Sequence, residues 1–235
     1  MCSQFPLERR PLTAKPCLLF DMDGTLSDTD ALHHVAFNRV LEPFDIHLDF
    51  DAYRTQILGK SNSEIVAGLF PGKVTDEHER LIDHKEALFR EMAETLAPID
   101  GLVELLRWTR AQGVPCGIVT NAPRENAELT LAALGLGDYF QTVVIGHELP
   151  NPKPHPMPYA TGLASLNGDI DRSLAFEDSP TGVTSAATAG LKTIGLTTSF
   201  SEEALQGKGA FIGIKDYTDA RLWRLLEERV LAKVA

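Results

Sequence analysis

The stretch CLLFDMDGTLSD, residues 17–28, decides the fold because it places an apolar, strand-like run directly before two carboxylates. In an extended chain alternate side chains share a face, so Asp21 and Asp23 point the same way and Met22 points into the core. Gly24 lets the backbone turn sharply and lets a ligand approach closely. We therefore expect two acids at one open pocket. A solvated Asp-Gly turn is the alternative that this string leaves open.

The proximity of Asp21 and Asp23 has a chemical consequence. Two carboxylates so close repel each other unless a cation lies between them or one of them holds a proton, and both remedies are useful in catalysis. Asp21 is therefore a candidate metal-bound nucleophile, and Asp23 is a candidate proton carrier beside it.

Composition and charge limit the classes of function. The 235 residues suffice for one sizeable core with an inserted smaller domain. The net charge of −11 argues against nucleic acid or an anionic membrane surface as a partner. Residues 1–16 carry charges and prolines where a signal peptide needs an apolar core, and no run approaches the ~20 apolar residues of a membrane span. Sparse cysteines suggest a reducing, cytoplasmic location. The oligomeric state stays open.

Short apolar runs alternate with helical patterns along most of the chain. The strand-like runs lie at 17–21, 115–120, 142–146, 173–177, 192–196 and 210–214. The helical patterns lie at 101–112, 123–134, 158–166, 181–189 and 218–234. This alternation predicts an α/β fold with a doubly wound parallel sheet, in which ligands bind beyond the carboxyl ends of the strands.

The stretch from about 29 to 97 has no convincing strand. Leu81, Leu88 and Met92 share one apolar stripe of its last helical pattern. We expect residues 29–97 to form a helical cap domain inserted after the first strand, and residues 1–28 and 98–235 to form the core. The predicted cap helices cover 29–43, 50–57, 62–70 and 75–96.

The second strand-like run ends in Thr120 and Asn121, directly before a helix whose first turn suits Pro123. A hydroxyl, an amide and free backbone donors at a helix N-terminus can form a cradle for a phosphate. Arg124 would add a further cation there. The alternative, that these side chains only cap the helix, stays open on local grounds.

Lys153 lies in ELPNPKPHPMPY, where prolines limit backbone freedom and would hold the ammonium group at a fixed place. A lysine held in this way could neutralise a nucleophile and a transferring phosphoryl group together. The alternative is an ordinary surface lysine in a stiff loop. We assign no role to His155 in the same loop.

The fourth strand-like run ends at two adjacent acids, Glu177 and Asp178, before a helix rich in small residues. Capping by Asp178 or Ser179 explains one of these acids but not both. Mg²⁺ binds oxygens from a few carboxylates together with waters and substrate phosphate, and it accounts for the cluster.

The four segments that contain Asp21, Thr120, Lys153 and Asp178, in this order and spacing, resemble the motifs of the haloacid dehalogenase superfamily. The resemblance is to its phosphatase and phosphomutase branch, which has a helical cap after the first strand. The resemblance implies that Asp21 is the nucleophile that forms an aspartyl-phosphate. It implies that Asp23 is the general acid and later the base that activates water. Thr120 would bind the phosphoryl oxygens and Lys153 would balance charge.

The resemblance also implies a magnesium site. Its ligands would be Asp21, the backbone carbonyl of Asp23, and Asp178, with Glu177 as a further ligand, direct or through water. Dehalogenases do not share the second acid of the first motif, so Asp23 argues for phosphoryl transfer over carbon–halogen cleavage.

Within this branch the chain is similar to the β-phosphoglucomutase and sugar-phosphate phosphatase group, in the segment after Asp28 and in FEDSPTG, residues 176–182. LGKSNSEI, residues 58–65, matches the group's specificity loop in position, although Ser61 and Glu64 also fit a capping box. The implied substrate contacts are Gly24, His33, Gly59, Lys60, Ser61, Asn62, Lys85 and Asn121.

Mutases of this kind carry an arginine where this chain has Asn62, and a planar guanidinium suits the clamping of a second phosphate. Lys60 or Lys85 would be the substitute charge. The resemblance therefore favours a phosphatase that acts on a small phosphorylated metabolite such as a sugar phosphate. A phosphomutase and a non-catalytic ligand-binding protein are the alternatives.

Overall fold

A six-stranded parallel sheet forms the centre of the computed structural model, which describes residues 14–60, 62–71 and 76–231. The strands are β1 (Leu18–Phe20), β2 (Cys116–Thr120), β3 (Phe140–Ile145), β4 (Leu174–Glu177), β5 (Lys192–Leu196) and β6 (Ala210–Ile214). Their order in the sheet is β3-β2-β1-β4-β5-β6, and all neighbouring pairs are parallel. The doubly wound sheet predicted from the sequence is confirmed, and each strand lies within its predicted run or extends it slightly.

The segment between β1 and the next core helix is helical. It contains α1 (Asp30–Leu41), α2 (Phe50–Gln56), α3 (Asn62–Leu69) and α4 (Asp76–Met92), with short 3-10 turns at Glu42–Phe44 and Ala93–Thr95. These helices bury an apolar cluster of their own, which includes Phe37, Tyr53, Ile65 and Leu81. The described part of this segment contributes no strand to the sheet.

The connections into and out of the helical segment lie side by side. Ser27 Oγ donates to the carbonyl of Ala97 at 2.8 Å, and the amide of Ile99 donates to the carbonyl of Leu26 at 2.9 Å. The chain therefore leaves the core and returns to it at the same place.

Six further helices accompany the sheet in the part of the chain that the structure describes. They are α5 (Leu102–Gln112), α6 (Arg124–Leu134), α7 (Met157–Ser165), α8 (Pro180–Thr188), α9 (Glu202–Gln206) and α10 (Ala220–Leu225), which continues into a π-helical turn at Leu226–Val230. The sequence patterns predict five of these helices but not α9, which is too short for a periodic signal and starts with the N-cap Ser201.

Alternation along β1 divides the core between the two faces of the sheet. Leu18 and Phe20 pack in a cluster that draws on α5, α6 and α10, whereas Leu19 packs in a cluster with Tyr159 and Ala186 from α7 and α8. Both faces of β1 are buried, as its continuous apolar sequence requires.

The sheet order brings three polar strand ends together. Strands β2, β1 and β4 are neighbours at the middle of the sheet, and their carboxyl ends lead to Thr120, Asp21 and Asp178. Within the described ranges, no helix has both the length and the apolarity to cross a membrane.

Candidate active site

Lys153 joins two carboxylates beyond the ends of β1 and β4. Its Nζ donates to Asp21 Oδ1 at 2.8 Å and to Glu177 Oε1 at 2.7 Å, and all three side chains are largely buried. Burial alone would lower the pKa of Lys153, but the charges of Asp21 and Glu177 outweigh it and raise this pKa. The expected contact between Lys153 and Asp21 is therefore present in the structure.

Glu177 is held by neutral donors as well as by the lysine. The hydroxyl of Tyr159 donates to Glu177 Oε1 at 2.8 Å, and Ser179 Oγ donates to Oε2 at 3.3 Å. A side chain at Gly182 would collide with this carboxylate, so the glycine in α8 is what gives Glu177 its space.

Asp178 packs against the backbone of the loop that follows β1. Gly24 there has a φ of +67°, and any Cβ at this position would overlap the Asp178 carboxylate. Ser199 Oγ donates to Asp178 Oδ2 at 2.7 Å and also lies 3.0 Å from Asp30 Oδ2. Gly24 thus permits the close approach of Asp178 to this loop.

Asp23 points to the same side as Asp21, as the alternation predicts, and Met22 is fully buried between them. Thr29 Oγ1 donates to Asp23 Oδ1 at 2.9 Å, and His33 Nε2 lies 3.6 Å from the same oxygen. Burial favours a higher pKa for Asp23, but the contacts with His33 and Thr29 prevail and lower it. The ring of His33 stacks on Phe89 of α4 with a centroid distance of 4.2 Å.

The three acids Asp21, Glu177 and Asp178 form a candidate metal centre, since each offers a carboxylate oxygen within 4.8 Å of the others. Burial, followed by the charge of Glu177, raises the pKa of Asp21 to about 7 although Lys153 opposes the shift. Burial and the charges of Asp21 and Glu177 raise the pKa of Asp178 well above its usual value. A divalent cation would relieve this repulsion, and an all-oxygen donor set fits Mg²⁺.

Thr120 and Asn121 lie at the end of β2 beside the lysine loop. Thr120 Oγ1 accepts from the amide of Ala122 at 2.9 Å, which leaves its hydroxyl proton available to a ligand. Asn121 exchanges two hydrogen bonds with the backbone of Lys153, at 3.2 and 3.3 Å. Asn121 therefore positions the lysine loop in addition to lining the cleft.

A cleft of about 1030 Å³ lies above these groups, between the sheet and the helical segment. The predicted contacts Gly59, Lys60, Lys85 and His33 all line it, as do Asp21, Asp23, Thr120 and Lys153. Ser61 and the side chain of Asn62 lie outside the described residues.

Lys85, one of the two lysines suggested above as a substitute charge, is paired with a carboxylate. Its Nζ donates to Glu86 Oε1 at 2.9 Å. Arg124, suggested above as a further cation, points to the surface and pairs with Glu148 at 2.6 and 2.7 Å. His155, to which the sequence assigned no role, lines the cleft and accepts from the amide of Met157.

Sequence reasoning missed the side chains that hold the acids, namely Thr29, Tyr159 and Ser199. Ser199 follows the carboxyl end of β5, the neighbour of β4, so the sheet rule could have placed it near the site. Tyr159 ends the quoted stretch ELPNPKPHPMPY and lies in α7, where its apolar ring predicts only a core residue.

Comparison with known proteins agrees with this geometry. A family model described as "Haloacid dehalogenase-like hydrolase" matches residues 18–196. The chain is 31% identical over 208 residues to a validoxylamine A 7'-phosphate phosphatase of Streptomyces hygroscopicus subsp. limoneus, covering 86% of this chain and 94% of that protein. It is 31% identical over 205 residues to a phosphorylated carbohydrates phosphatase of Thermotoga maritima, covering 84% and 93%.

A solved structure of a β-phosphoglucomutase-like protein from Thermotoga maritima superimposes with a TM-score of 0.72. The sequences are 27% identical, and the match covers 91% of this chain and 99% of that one. The resemblance inferred from the four motifs thus extends over most of the chain.

Proposed function

The chain belongs to the haloacid dehalogenase-like hydrolase family, and from this premise we infer that it is a phosphoric monoester hydrolase that releases phosphate from a small phosphorylated metabolite. The observation that carries the proposal is the contact of Asp21 with Lys153, which both line one cleft, together with Asp178, whose carboxylate offers an oxygen within 4.8 Å of one of Asp21. The relative named as a phosphorylated carbohydrates phosphatase favours a sugar phosphate as the substrate.

In the proposed reaction Asp21 is the nucleophile. One of its carboxylate oxygens attacks phosphorus, the bond to the leaving oxygen breaks, and an aspartyl-phosphate forms. Thr120 donates its hydroxyl to a phosphoryl oxygen, and Lys153 balances the charge of the phosphoryl group. Mg²⁺, held by Asp21, Asp178 and the backbone carbonyl of Asp23, with Glu177 as a further ligand, would spread the developing negative charge.

Asp23 moves the protons. It gives a proton to the leaving oxygen, then takes one from the water that hydrolyses the aspartyl-phosphate and regenerates Asp21. Its pKa is lowered beside His33 and Thr29 in spite of burial. An anionic phosphoryl group that enters next to Asp23 raises this pKa again by like charge, which favours the protonated form when it is needed.

We assign residues 29–97 the role of a cap. Gly59, Lys60 and Lys85 of this segment share a cleft with Asp21, so the segment forms the roof of the site. Ser27 and Ala97 lie at its two paired connections, where a hinge would permit entry and release of substrate. Closure over the substrate would exclude bulk water from the phosphoryl group.

The proposed location is the cytoplasm. Cys17 and Cys116 are buried and free, and burial raises the pKa of Cys17 to about 11, so these thiols are inert apolar residues of the core. Such use of cysteine suits a reducing compartment.

A phosphate-release screen tests the proposal. Purified protein with Mg²⁺ is offered hexose and pentose phosphates, phosphoglycolate and nucleotides, and Asp21→Asn serves as the blank. Release that depends on Asp21 and stops when EDTA removes the metal supports the proposal. Binding without release across the whole panel would instead support the non-catalytic alternative.

A phosphomutase remains the second candidate because of the likeness to β-phosphoglucomutase. Interconversion of hexose phosphate isomers that requires a catalytic amount of the bisphosphate would identify it. We expect hydrolysis without such interconversion.

A further inference from the structure

A smaller cavity of about 210 Å³ lies between the acids of the core and the helical segment, and we call it the cap cavity. Asp21, Asp23 and Asp178 line it from the core, and Tyr53 and Phe37 line it from the helical segment. Asp21 and Asp23 also line the large cleft. Because Asp23 gives a proton to the leaving oxygen in the proposed reaction, the leaving group of the substrate lies in or beside the cap cavity.

Tyr53 brings an unpaired hydroxyl group to this cavity. The residue lies in α2 and is 1% exposed. Its ring packs against the rings of His34, Phe37 and Phe50, at centroid distances of 5.3, 6.3 and 5.8 Å, which fixes the direction of the phenol. Within the part of the chain that the structure describes, no group forms a hydrogen bond with the Tyr53 hydroxyl. A buried hydroxyl normally has a partner, so this one is free to bind a ligand.

The Tyr53 hydroxyl faces the acids of the site. Burial raises the pKa of Tyr53 far above its usual value, and the charges of Asp30, Asp23 and Asp178 raise it further. Charge effects weaken with distance, so the influence of all three acids places the phenol on their side of α2. At neutral pH the group is a neutral phenol, which can donate one hydrogen bond and accept another.

Two other polar side chains that the helical segment contributes to the cap cavity already have partners. Lys85 Nζ lies 2.9 Å from Glu86 Oε1, and Asp30 Oδ2 lies 3.0 Å from Ser199 Oγ. Tyr53 differs from both of them because its hydroxyl has no such partner. It is therefore the group on this wall that can bind a neutral polar group without first breaking a contact within the protein.

The surroundings of Tyr53 make this hydroxyl selective. The apolar side chains beside it at the cap cavity are Phe37, Ile57, Leu58 and Ile65. A substrate hydroxyl that reaches this wall can pair with the phenol, whereas a leaving group without a hydroxyl leaves the phenol unpaired in an enclosed place. Sites that are built to bind a substrate hydroxyl discriminate in this way against analogues that lack it.

We propose that the hydroxyl of Tyr53 is a specificity-determining group that forms a hydrogen bond with a hydroxyl of the leaving group, so that the site selects phosphate monoesters of polyhydroxylated compounds over those of apolar alcohols. This inference rests on the proposed phosphatase function and narrows its substrate class. Tyr53 acts in recognition of the substrate, and cleavage of the bond to phosphorus stays with Asp21 and Asp23.

The test compares kcat/KM for phosphate release from the preferred sugar phosphate with that from phenyl phosphate, whose leaving group carries no other hydroxyl. Tyr53→Phe keeps the ring and removes only the hydroxyl. We expect the sugar-to-phenyl ratio of kcat/KM to fall about tenfold, mainly through KM of the sugar phosphate. Because the ratio is taken within one preparation, partial loss of folded enzyme does not alter it. Tyr139→Phe, in the turn before β3 and outside the cap cavity, should keep the wild-type ratio.

Thermal unfolding without substrate separates recognition from a structural role. The Tyr53 hydroxyl forms no hydrogen bond with the described residues, so Tyr53→Phe should have the Tm of wild type or a higher one. Tyr217→Phe is the comparison, because the hydroxyl of Tyr217 donates to the carbonyl of Thr25 at 2.9 Å and its loss should lower Tm.

Three outcomes would count against the proposals, and they are distinguishable. A sugar-to-phenyl ratio in Tyr53→Phe equal to that of wild type overturns the inference and leaves the phosphatase function in place. A wild type that releases phosphate from phenyl phosphate but from no hydroxylated substrate does the same. A wild type that releases phosphate from neither overturns both the inference and the proposed function.

Discussion

Lys153 Nζ lies 2.8 Å from Asp21 Oδ1, although 132 positions separate the two residues in the chain. The same nitrogen reaches Glu177, so one buried cation compensates two buried carboxylates. The contact joins the ends of two adjacent strands, β1 and β4, to the loop after β3. The ammonium group of Lys153 and the carboxylate of Asp21 therefore contribute both to the stability of the fold and to the proposed chemistry.

The first prediction concerns this lysine. Lys153→Met keeps most of the volume but leaves Asp21 and Glu177 without their cation. We expect the free energy of unfolding to fall by about 3 kcal/mol, the usual cost of breaking a buried ion pair from one side. Phosphate release should fall by roughly 10²-fold or more. Urea unfolding and phosphate assays measure the two effects.

The control for this prediction is Lys208→Met, which removes an exposed lysine from the turn before β6. Its stability should stay within about 0.5 kcal/mol of wild type. If Lys153→Met behaved like Lys208→Met in both assays, the pairing of Lys153 with Asp21 would contribute neither to the free energy of unfolding nor to phosphate release.

The second prediction separates chemistry from folding at Asp21. Asp21→Asn removes the attacking charge with little change in volume, so turnover should drop to background. The variant should fold at least as well as wild type in EDTA, because burial and the charge of Glu177 raise the pKa of Asp21 to about 7 and make its ionised form costly. Phosphate assays and thermal unfolding test this, with the exposed Asp138→Asn as control. Near-normal release by Asp21→Asn would exclude it as the nucleophile.

The fold could be predicted from the sequence to a large extent because buried parallel strands leave continuous apolar runs. The run before Asp21 and the run before Glu177 are buried on both faces, and the topology of such sheets places their carboxyl ends together. The acids at those ends could therefore be grouped from the sequence alone. The π-helical turn after α10 has no comparable signal in the sequence.

The partners of the acids could not be predicted in this way. Lys85 and Glu86 are neighbours on a helix, and adjacent positions do not normally face each other. Their contact depends on Phe37 and Asn126, which approach from other elements of the chain. Such contacts follow from tertiary packing, which leaves no periodic trace.

The third prediction is a pH dependence of the metal-free protein. The carboxyl of Asp21 titrates near pH 3.8 when unfolded and near 7 when folded, and the pKa of Asp178 is raised in the same direction, in both cases chiefly by burial. Between these values the folded state binds more protons than the unfolded state, so the free energy of unfolding decreases as pH rises. We expect thermal stability in EDTA to fall from pH 5 to pH 8.

Magnesium should reverse this loss. Mg²⁺ binds the ionised carboxylates of the folded protein, so a concentration of about 100 times Kd raises the free energy of unfolding by about 2.7 kcal/mol. At one fixed Mg²⁺ concentration this increase is larger at pH 8 than at pH 5, because more of the carboxylates are ionised. Asp178→Asn removes one of the two titrating acids, so it should show a flatter profile in EDTA and a weaker response to Mg²⁺. A profile that rises from pH 5 to pH 8 in EDTA would contradict the assignment of strained, like-charged acids.

The fourth prediction concerns Ser199, which lies outside the four motifs. Its Oγ donates to Asp178 Oδ2 at 2.7 Å and lies 3.0 Å from Asp30 Oδ2 at the start of α1, while its neighbour Thr198 donates to the carbonyl of Gly24 at 2.6 Å. The loop after β5 thus holds both the proposed metal ligand and the turn against which that ligand packs. Ser199 is a positioning residue in this arrangement, and partners of this kind orient a metal ligand.

Ser199→Ala should therefore raise the Mg²⁺ concentration needed for half-maximal phosphate release by roughly tenfold, with a much smaller change in kcat at saturating Mg²⁺. Calorimetric titration of Mg²⁺ into the variant should show the same weakening without any substrate present. Ser165→Ala, an exposed hydroxyl in α7 that contacts only its own helix, should leave both curves unchanged. If Ser199→Ala bound Mg²⁺ as tightly as wild type, the hydrogen bond from Ser199 to Asp178 would stabilise the loop after β5 without orienting a metal ligand.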